Sequence, residues 1–172
     1  MGRISYSQLS MFSECPLRWK LNYIDDVTER EPSIHLLFGT AMHEVIQTWL
    51  EVMYHDKVKN AKELDKHKLL YENMIKSYKQ GKAQNGHEHF STQDELTKFW
   101  IEGKHILDFL EKKRGGYFST KNMQLAGIET LLYQEIRPGV MFKGLVDLVF
   151  YHPNTDRSVS YTHLTLPTSD LV

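Results

Sequence analysis

Four residues have types and settings that could do chemistry. Asp147 lies within Lys143-Gly144-Leu145-Val146-Asp147-Leu148-Val149-Phe150, with apolar residues on both sides in what reads as a central strand. A carboxylate in such a run is expensive to bury unless a metal ion or a cationic partner compensates it. In a strand it shares one face with Lys143, Leu145 and Val149. The competing reading is an aspartate on the wet face of an edge strand, or one paired with a lysine. His43, in Gly39-Thr40-Ala41-Met42-His43-Glu44, falls one turn into a helix that reads as opening at the glycine. Neutral imidazole is a common metal ligand, and a histidine beside an apolar stripe is also a common hydrogen-bonded core residue. Glu129, in Ala126-Gly127-Ile128-Glu129-Thr130-Leu131, is a second acid in a strand pattern, with solvent exposure as its plainer explanation. Cys15 is open to three readings: an inert buried thiol, a cluster ligand or a nucleophile. No Ser/His/Asp or Cys/His arrangement frames it, and a zinc site or a complete cluster takes more than one cysteine.

The elements that must position these residues can be read from caps and periodicity. Ser5-Tyr6-Ser7-Gln8 has the form of a capping box, and Leu9 and Phe12 supply apolar contacts in the helix that follows. Pro16 suits the first position of a second helix carrying Leu17, Trp19, Leu21 and Tyr23. Polar residues from Asp25 to Ser33, with Pro32, predict a loop. A helix is then expected from near Gly39, with Met42, Val45, Ile46, Trp49, Leu50 and Met53 at helical spacing. Residues 56 to 82 hold eight lysines against four acids, with Leu64, Leu70, Met74 and Tyr78 as the candidate buried side of a helix. Thr92-Gln93-Asp94-Glu95 is another capping-box pattern, opening a helix that Gly115-Gly116 is expected to close.

Beyond residue 123 the period changes from helical to extended. Residues 124 to 136 and Val140 to Tyr151 read as two strands joined at Arg137-Pro138-Gly139, and residues 152 to 156 read as a second turn. The stretch from Ser158 onward, Ser-Val-Ser-Tyr-Thr-His-Leu-Thr-Leu-Pro-Thr-Ser-Asp, fits no element well. It resembles translated adapter read-through, which gives residues 1–157 as the natural part and 158–172 as a non-native tail. The alternative is an ordinary third strand, Val159 to Leu166, ended by Pro167.

Composition bounds the function classes. The 172 residues carry 21 Lys+Arg against 22 Asp+Glu, a net charge of −1, which excludes a histone-like basic binder but not a local basic patch. A hydrophobic content of 41% supports a real core and excludes a disordered chain. The single cysteine forbids an intramolecular disulfide and fits a reducing cytoplasm. No secretory leader and no run of 18 apolar residues is visible, so the expectation is a cytoplasmic protein without a membrane span.

Three segments, taken in order, resemble the RecB-type branch of the PD-(D/E)XK nuclease superfamily. Ser5-Tyr6-Ser7-Gln8-Leu9 through Cys15-Pro16-Leu17-Arg18-Trp19 and Tyr23 is similar to that branch's S-x-S-x-L…C-P-x-x-aromatic…Y opening. Phe38-Gly39-Thr40-Ala41-Met42-His43-Glu44 is similar to its G-x-x-x-H helix, and Lys143-Gly144-Leu145-Val146-Asp147 to its G-x-(I/V)-D strand. The resemblance spans residues 4 to about 151.

The resemblance implies an α/β (α+β) restriction-endonuclease-like core, with a helical N-terminal region followed by the first strands of a mixed sheet, here incomplete. It implies Mg2+ or Mn2+ held by His43 and Asp147, with Glu129 as a further catalytic acid. Arg18, Lys20 and Lys143 become candidate contacts to nucleic acid. An iron–sulfur cluster using Cys15 belongs only to a full-length parent. The implied partner is DNA, with a helicase or other recombination protein beside it, in a bacterial or phage-infected cell. Exonuclease action in recombination, repair or phage replication is the implied role. The family's next strand supplies a Glu or Asp followed two residues later by Lys; Ser158 to Thr162 holds neither. The expectation is therefore an inactive chain, with a non-cutting nuclease-like binding module as the alternative.

Overall fold

The computed structural model describes residues 2–27, 32–86 and 88–161. A short strand, β1 (Gly2–Ser5), leads into α1 (Tyr6–Glu14) and α2 (Pro16–Tyr23); α3 (Ile34–Glu51) continues through a π-helical turn, Val52–Asp56. Then come α4 (Val58–Glu63), α5 (Lys66–Gln84), α6 (Gln93–Tyr117), β2 (Gln124–Arg137), β3 (Val140–His152) and β4 (Arg157–Tyr161). The result is a mixed α+β fold, as expected. The chain divides into two compact units: a helical one built on residues 32–125 with 150–158, and a sheet one built on 2–27, 126–149 and 159–161.

In the helical unit α3 is the central element. Leu37, Ala41, Val45 and Trp49 recur at helical spacing and are buried, with Met42, Ile46 and Leu50 beside them. Against this stripe pack Leu70 and Met74 of α5 and Leu107 and Leu110 of α6. Each fully buried Leu contributes about 1.5–3 kcal/mol relative to exposure. Gly103 sets the spacing: a Cβ there would overlap the Leu70 side chain and come within 2.9 Å of the Phe38 ring, so only glycine lets α6 approach this closely. Lys66 is the one buried charge among the described residues, and its Nζ lies 3.1 Å from Glu111 Oε2, tying α5 to α6.

Several boundaries differ from expectation for local reasons. The α3 helix opens at Ile34 rather than near Gly39, because the Ser33 hydroxyl accepts from the Leu36 N–H at 3.2 Å and caps it. The lysine-rich segment is two helices rather than one, since Leu64 is extended and Asp65 caps a fresh start by accepting from the Lys68 N–H. Gly115 and Gly116 do not close α6. They sit in its last turn, which ends at Phe118, a residue buried against Trp49 and Phe150 with ring centroids 6.0 Å away in each case.

The sheet unit is organised around β3, which is hydrogen-bonded to β1, β2 and β4. β1 is parallel to it, with Gly2 opposite Val140 and Ser5 opposite Lys143, which makes the sheet mixed. The expectation missed this strand: four residues are too few for alternation, and the pairing is non-local. The β2–β3 turn behaves as its sequence suggests, with Gly139 at φ +77° following Pro138 and its N–H donating to Glu135 Oε1 at 2.8 Å. α1 begins where Ser5 accepts from the Gln8 N–H, and α2 begins at Pro16 as read. β4 covers Arg157–Tyr161, so the expected break at 157 falls at the start of a strand paired with β3; the rest of the tail lies outside the described residues.

Candidate active site

Asp147 sits on the strand that has partners on both sides, as its apolar flanks suggested. Val146, Leu148 and Phe150 form the buried face of β3, and Leu148 and Phe150 have no exposed surface at all. Alternation therefore turns Asp147 to the other face, where it is half-buried, in company with exposed Lys143 and Leu145. Both readings of this residue are partly right: the strand is central, and the carboxylate is on its less covered side.

Glu129 lies on β2, the hydrogen-bonded neighbour of β3, and is exposed. A Cβ built on Gly127 falls 3.9 Å from Val149 Cβ. Gly127 precedes Glu129 by two residues, and Val149 follows Asp147 by two. Glu129 has φ +46°, a left-handed conformation that costs a residue with a Cβ about 1–2 kcal/mol. Nothing in the sequence signals that conformation, because left-handed positions ordinarily carry Gly, Asn or Asp.

The basic candidates are all exposed. Arg18 Nη1 lies 3.8 Å from Glu14 Oε2, and Lys20 pairs with Asp25, both along the α1–α2 hairpin. Lys143 stands opposite Ser5, the residue that caps α1. Cys15 is exposed rather than buried and caps α2, its Sγ accepting from the Arg18 N–H at 3.5 Å. A cluster would take four thiolates where the chain has one cysteine, so the residues do not fit an iron–sulfur group.

His43 belongs to the helical unit. It lies nine residues into α3, about two and a half turns rather than one, because the helix starts earlier than expected. It is half-buried beside Met42, and the next residue, Glu44, reaches Lys76 of α5 at 3.9 Å. The lysines of residues 56–82 are partly neutralised in the same way, by Lys59–Glu63, Lys66–Glu111 and Lys68–Glu72 pairs. Asp147, Glu129, Lys143, Arg18, Lys20 and Cys15 thus share the sheet unit, and His43 does not. Among the described residues no three His, Cys, Asp or Glu side chains are grouped to hold a metal ion. What the sheet unit offers a cation is the chemistry of Asp147 and Glu129, carboxylate oxygens of the kind that suit Mg2+ and Mn2+.

A profile of the PD-(D/E)XK nuclease superfamily matches residues 3–160, nearly the whole chain. The chain belongs to the PD-(D/E)XK nuclease superfamily. Its mixed α+β architecture agrees with that membership, and the match runs through β4 to residue 160. Nucleases of this superfamily are phosphodiester hydrolases that act on nucleic acid and typically use divalent metal ions. No curated protein matches the chain. Among the described residues no helix is long and apolar enough to cross a membrane.

Proposed function

We propose that this superfamily member is a RecB-type, metal-dependent deoxyribonuclease, acting as an exonuclease in recombination, repair or phage replication. The observation that carries this reading is the superfamily match over residues 3–160, with Asp147 in a G-x-(I/V)-D pattern on the strand paired on both sides. His43 and Asp147 are the proposed ligands of Mg2+ or Mn2+, and Glu129 the neighbouring acid. When bound, the ion would neutralise charge on the scissile phosphate and lower the pKa of the attacking water. Arg18, Lys20 and Lys143 hold the sugar–phosphate backbone of DNA, and a helicase or another recombination protein is the proposed partner.

We also propose that the chain as it stands does not turn over. β4, Arg157-Ser158-Val159-Ser160-Tyr161, carries no acid followed two residues later by lysine. Without those groups the water is not positioned and the developing charge is not met. The same strand favours a second reading, a nuclease-like module that binds without cutting. Two steps test these readings. The purified chain incubated with DNA and Mg2+ or Mn2+ is expected to leave the DNA intact. Metal-dependent cleavage that is lost in Asp147→Ala would show the chain to be competent. Resequencing the gene past the codon for Arg157 separates the rest: an acid-x-Lys strand in frame supports the nuclease, and the present residues in frame support the binding module.

A further inference from the structure

We propose that the carboxyl-terminal end of α6 is a contact for single-stranded DNA. Lys112 and Lys113 hold backbone phosphates, Tyr117 stacks on a base, and Gly115-Gly116 leave the strand room to approach. The site belongs to the helical unit, whereas Arg18, Lys20 and Lys143 belong to the sheet unit, and it rests on the nucleic-acid reading proposed above.

Residues 112 to 114 are three cations in a row, and the acids that would pair with them are engaged with α5 instead. Asp108, one turn before Lys112, has its Oδ1 2.8 Å from His67 Nε2, and Glu111 is held by Lys66. Arg114 is half-buried, with Nη1 3.7 Å from Met53 Sδ. Lys112 and Lys113 are exposed and, among the described residues, form no ion pair. Two adjacent unpaired ammonium groups are a footing for a phosphate backbone.

The glycines are a second, independent observation. Both lie inside the last turn of α6, where glycine weakens a helix relative to alanine. Neither has the positive φ that calls for glycine, and a Cβ at either would meet nothing within 4 Å. Unlike Gly103, they give the fold nothing. What they leave is bare helix surface, which lets another backbone come close. Tyr117, four residues on from Lys113 and so on the same face, is 48% exposed. An open ring beside neighbouring cations is the arrangement that holds unpaired bases.

The test uses the intact chain in EDTA, so it depends neither on a metal ion nor on cleavage, with a fluorescein-labelled oligothymidylate as the probe. Anisotropy is read at several salt concentrations, and melting temperatures are taken alongside. The wild type is expected to bind, with log K falling as log salt rises. Lys112→Gln/Lys113→Gln is expected to flatten that slope by about 1.4, two phosphates at about 0.7 each on a single strand. Tyr117→Ala is expected to weaken binding at least about fivefold. Gly115→Ala/Gly116→Ala is expected to raise the melting temperature by about 3 °C while weakening binding. If the lysine variant loses melting temperature and keeps the wild-type slope, the cations serve the helix end and the site is overturned. If all three variants bind as the wild type does while Arg18→Ala and Lys143→Ala bind more weakly, the site on α6 is overturned and the nucleic-acid reading stands. Duplex DNA bound as tightly as the oligothymidylate, with Tyr117→Ala without effect, overturns the single-strand assignment. No binding by the wild type overturns the site, and the nuclease reading is then decided separately by cleavage.

Discussion

At the scale of single residues, charge placement separates positions that stabilise the fold from positions that do not. Lys66 is only 6% exposed, whereas its partner Glu111 keeps 35% of its side chain in solvent, so the two ends of one ion pair are not equivalent. Removing the acid strands an ammonium in the core, with the Leu64 carbonyl at 3.4 Å and the Trp49 ring at 6.0 Å as its remaining company. Glu111→Gln is expected to destabilise the chain by about 3 kcal/mol. Lys66→Met replaces the buried charge with a side chain of similar length and should stay within about 1 kcal/mol of the wild type. Urea unfolding of the two variants checks this ordering, and equal losses would show the pair to be symmetric. By contrast, Asp147 is half-buried and Glu129 exposed, so neither gives up as much solvent as Lys66 does.

At the scale of elements, the caps decide where helices begin, and one of them is sensitive to acid. Thr92 accepts from the Glu95 N–H while the Glu95 carboxylate accepts from the Thr92 N–H, a complete capping box at the start of α6. The Thr92 N–H, followed by the Ser91 and Thr92 hydroxyls, holds the Glu95 carboxyl below the ordinary carboxylate range. A lowered folded pKa means that this contribution is present above the unfolded value and fades as pH falls through the folded one. Glu95→Gln should therefore lower the melting temperature at pH 7 and have less effect in acid, where Glu95 itself is protonated. A loss that is the same at neutral and acid pH would show that Glu95 is not the acid-sensitive partner.

These caps also show how far the sequence could be read. Ser5, Pro16 and Thr92 announced their helices because each cap stands directly before a periodic run. Ser33 is hidden among polar neighbours and by the conspicuous Gly39, so the sequence points to a start of α3 later than Ile34. Asp147 was legible because an acid inside an apolar run is chemically conspicuous. The left-handed backbone of Glu129 was not, since no local pattern encodes it.

At the scale of the whole molecule, the near-neutral charge makes any nucleic-acid contact a local matter. Arg18, Lys20 and Lys143 lie in the same compact unit as Asp147. If each neutralises one DNA phosphate, replacing any of them with Ala should flatten the slope of log K against log salt by about 0.9. Binding isotherms at several salt concentrations measure this, and an unchanged slope removes that residue from the interface. The lysines of residues 56–82, several of them already paired with acids, are expected to contribute less.

The parallel pairing of β1 with β3 has a consequence for the order in which the molecule can be made. Gly2 meets Val140, so the two partners lie 138 positions apart in the sequence. At a synthesis rate of about 5–20 residues per second, the first strand leaves the ribosome roughly 7–28 s before the strand it must join. During that interval α3, α5 and α6, whose contacts with one another need nothing beyond residue 117, are free to assemble first. The amino-terminal strand cannot pair until β3 has emerged, so this pairing follows any helix contact that forms in the interval.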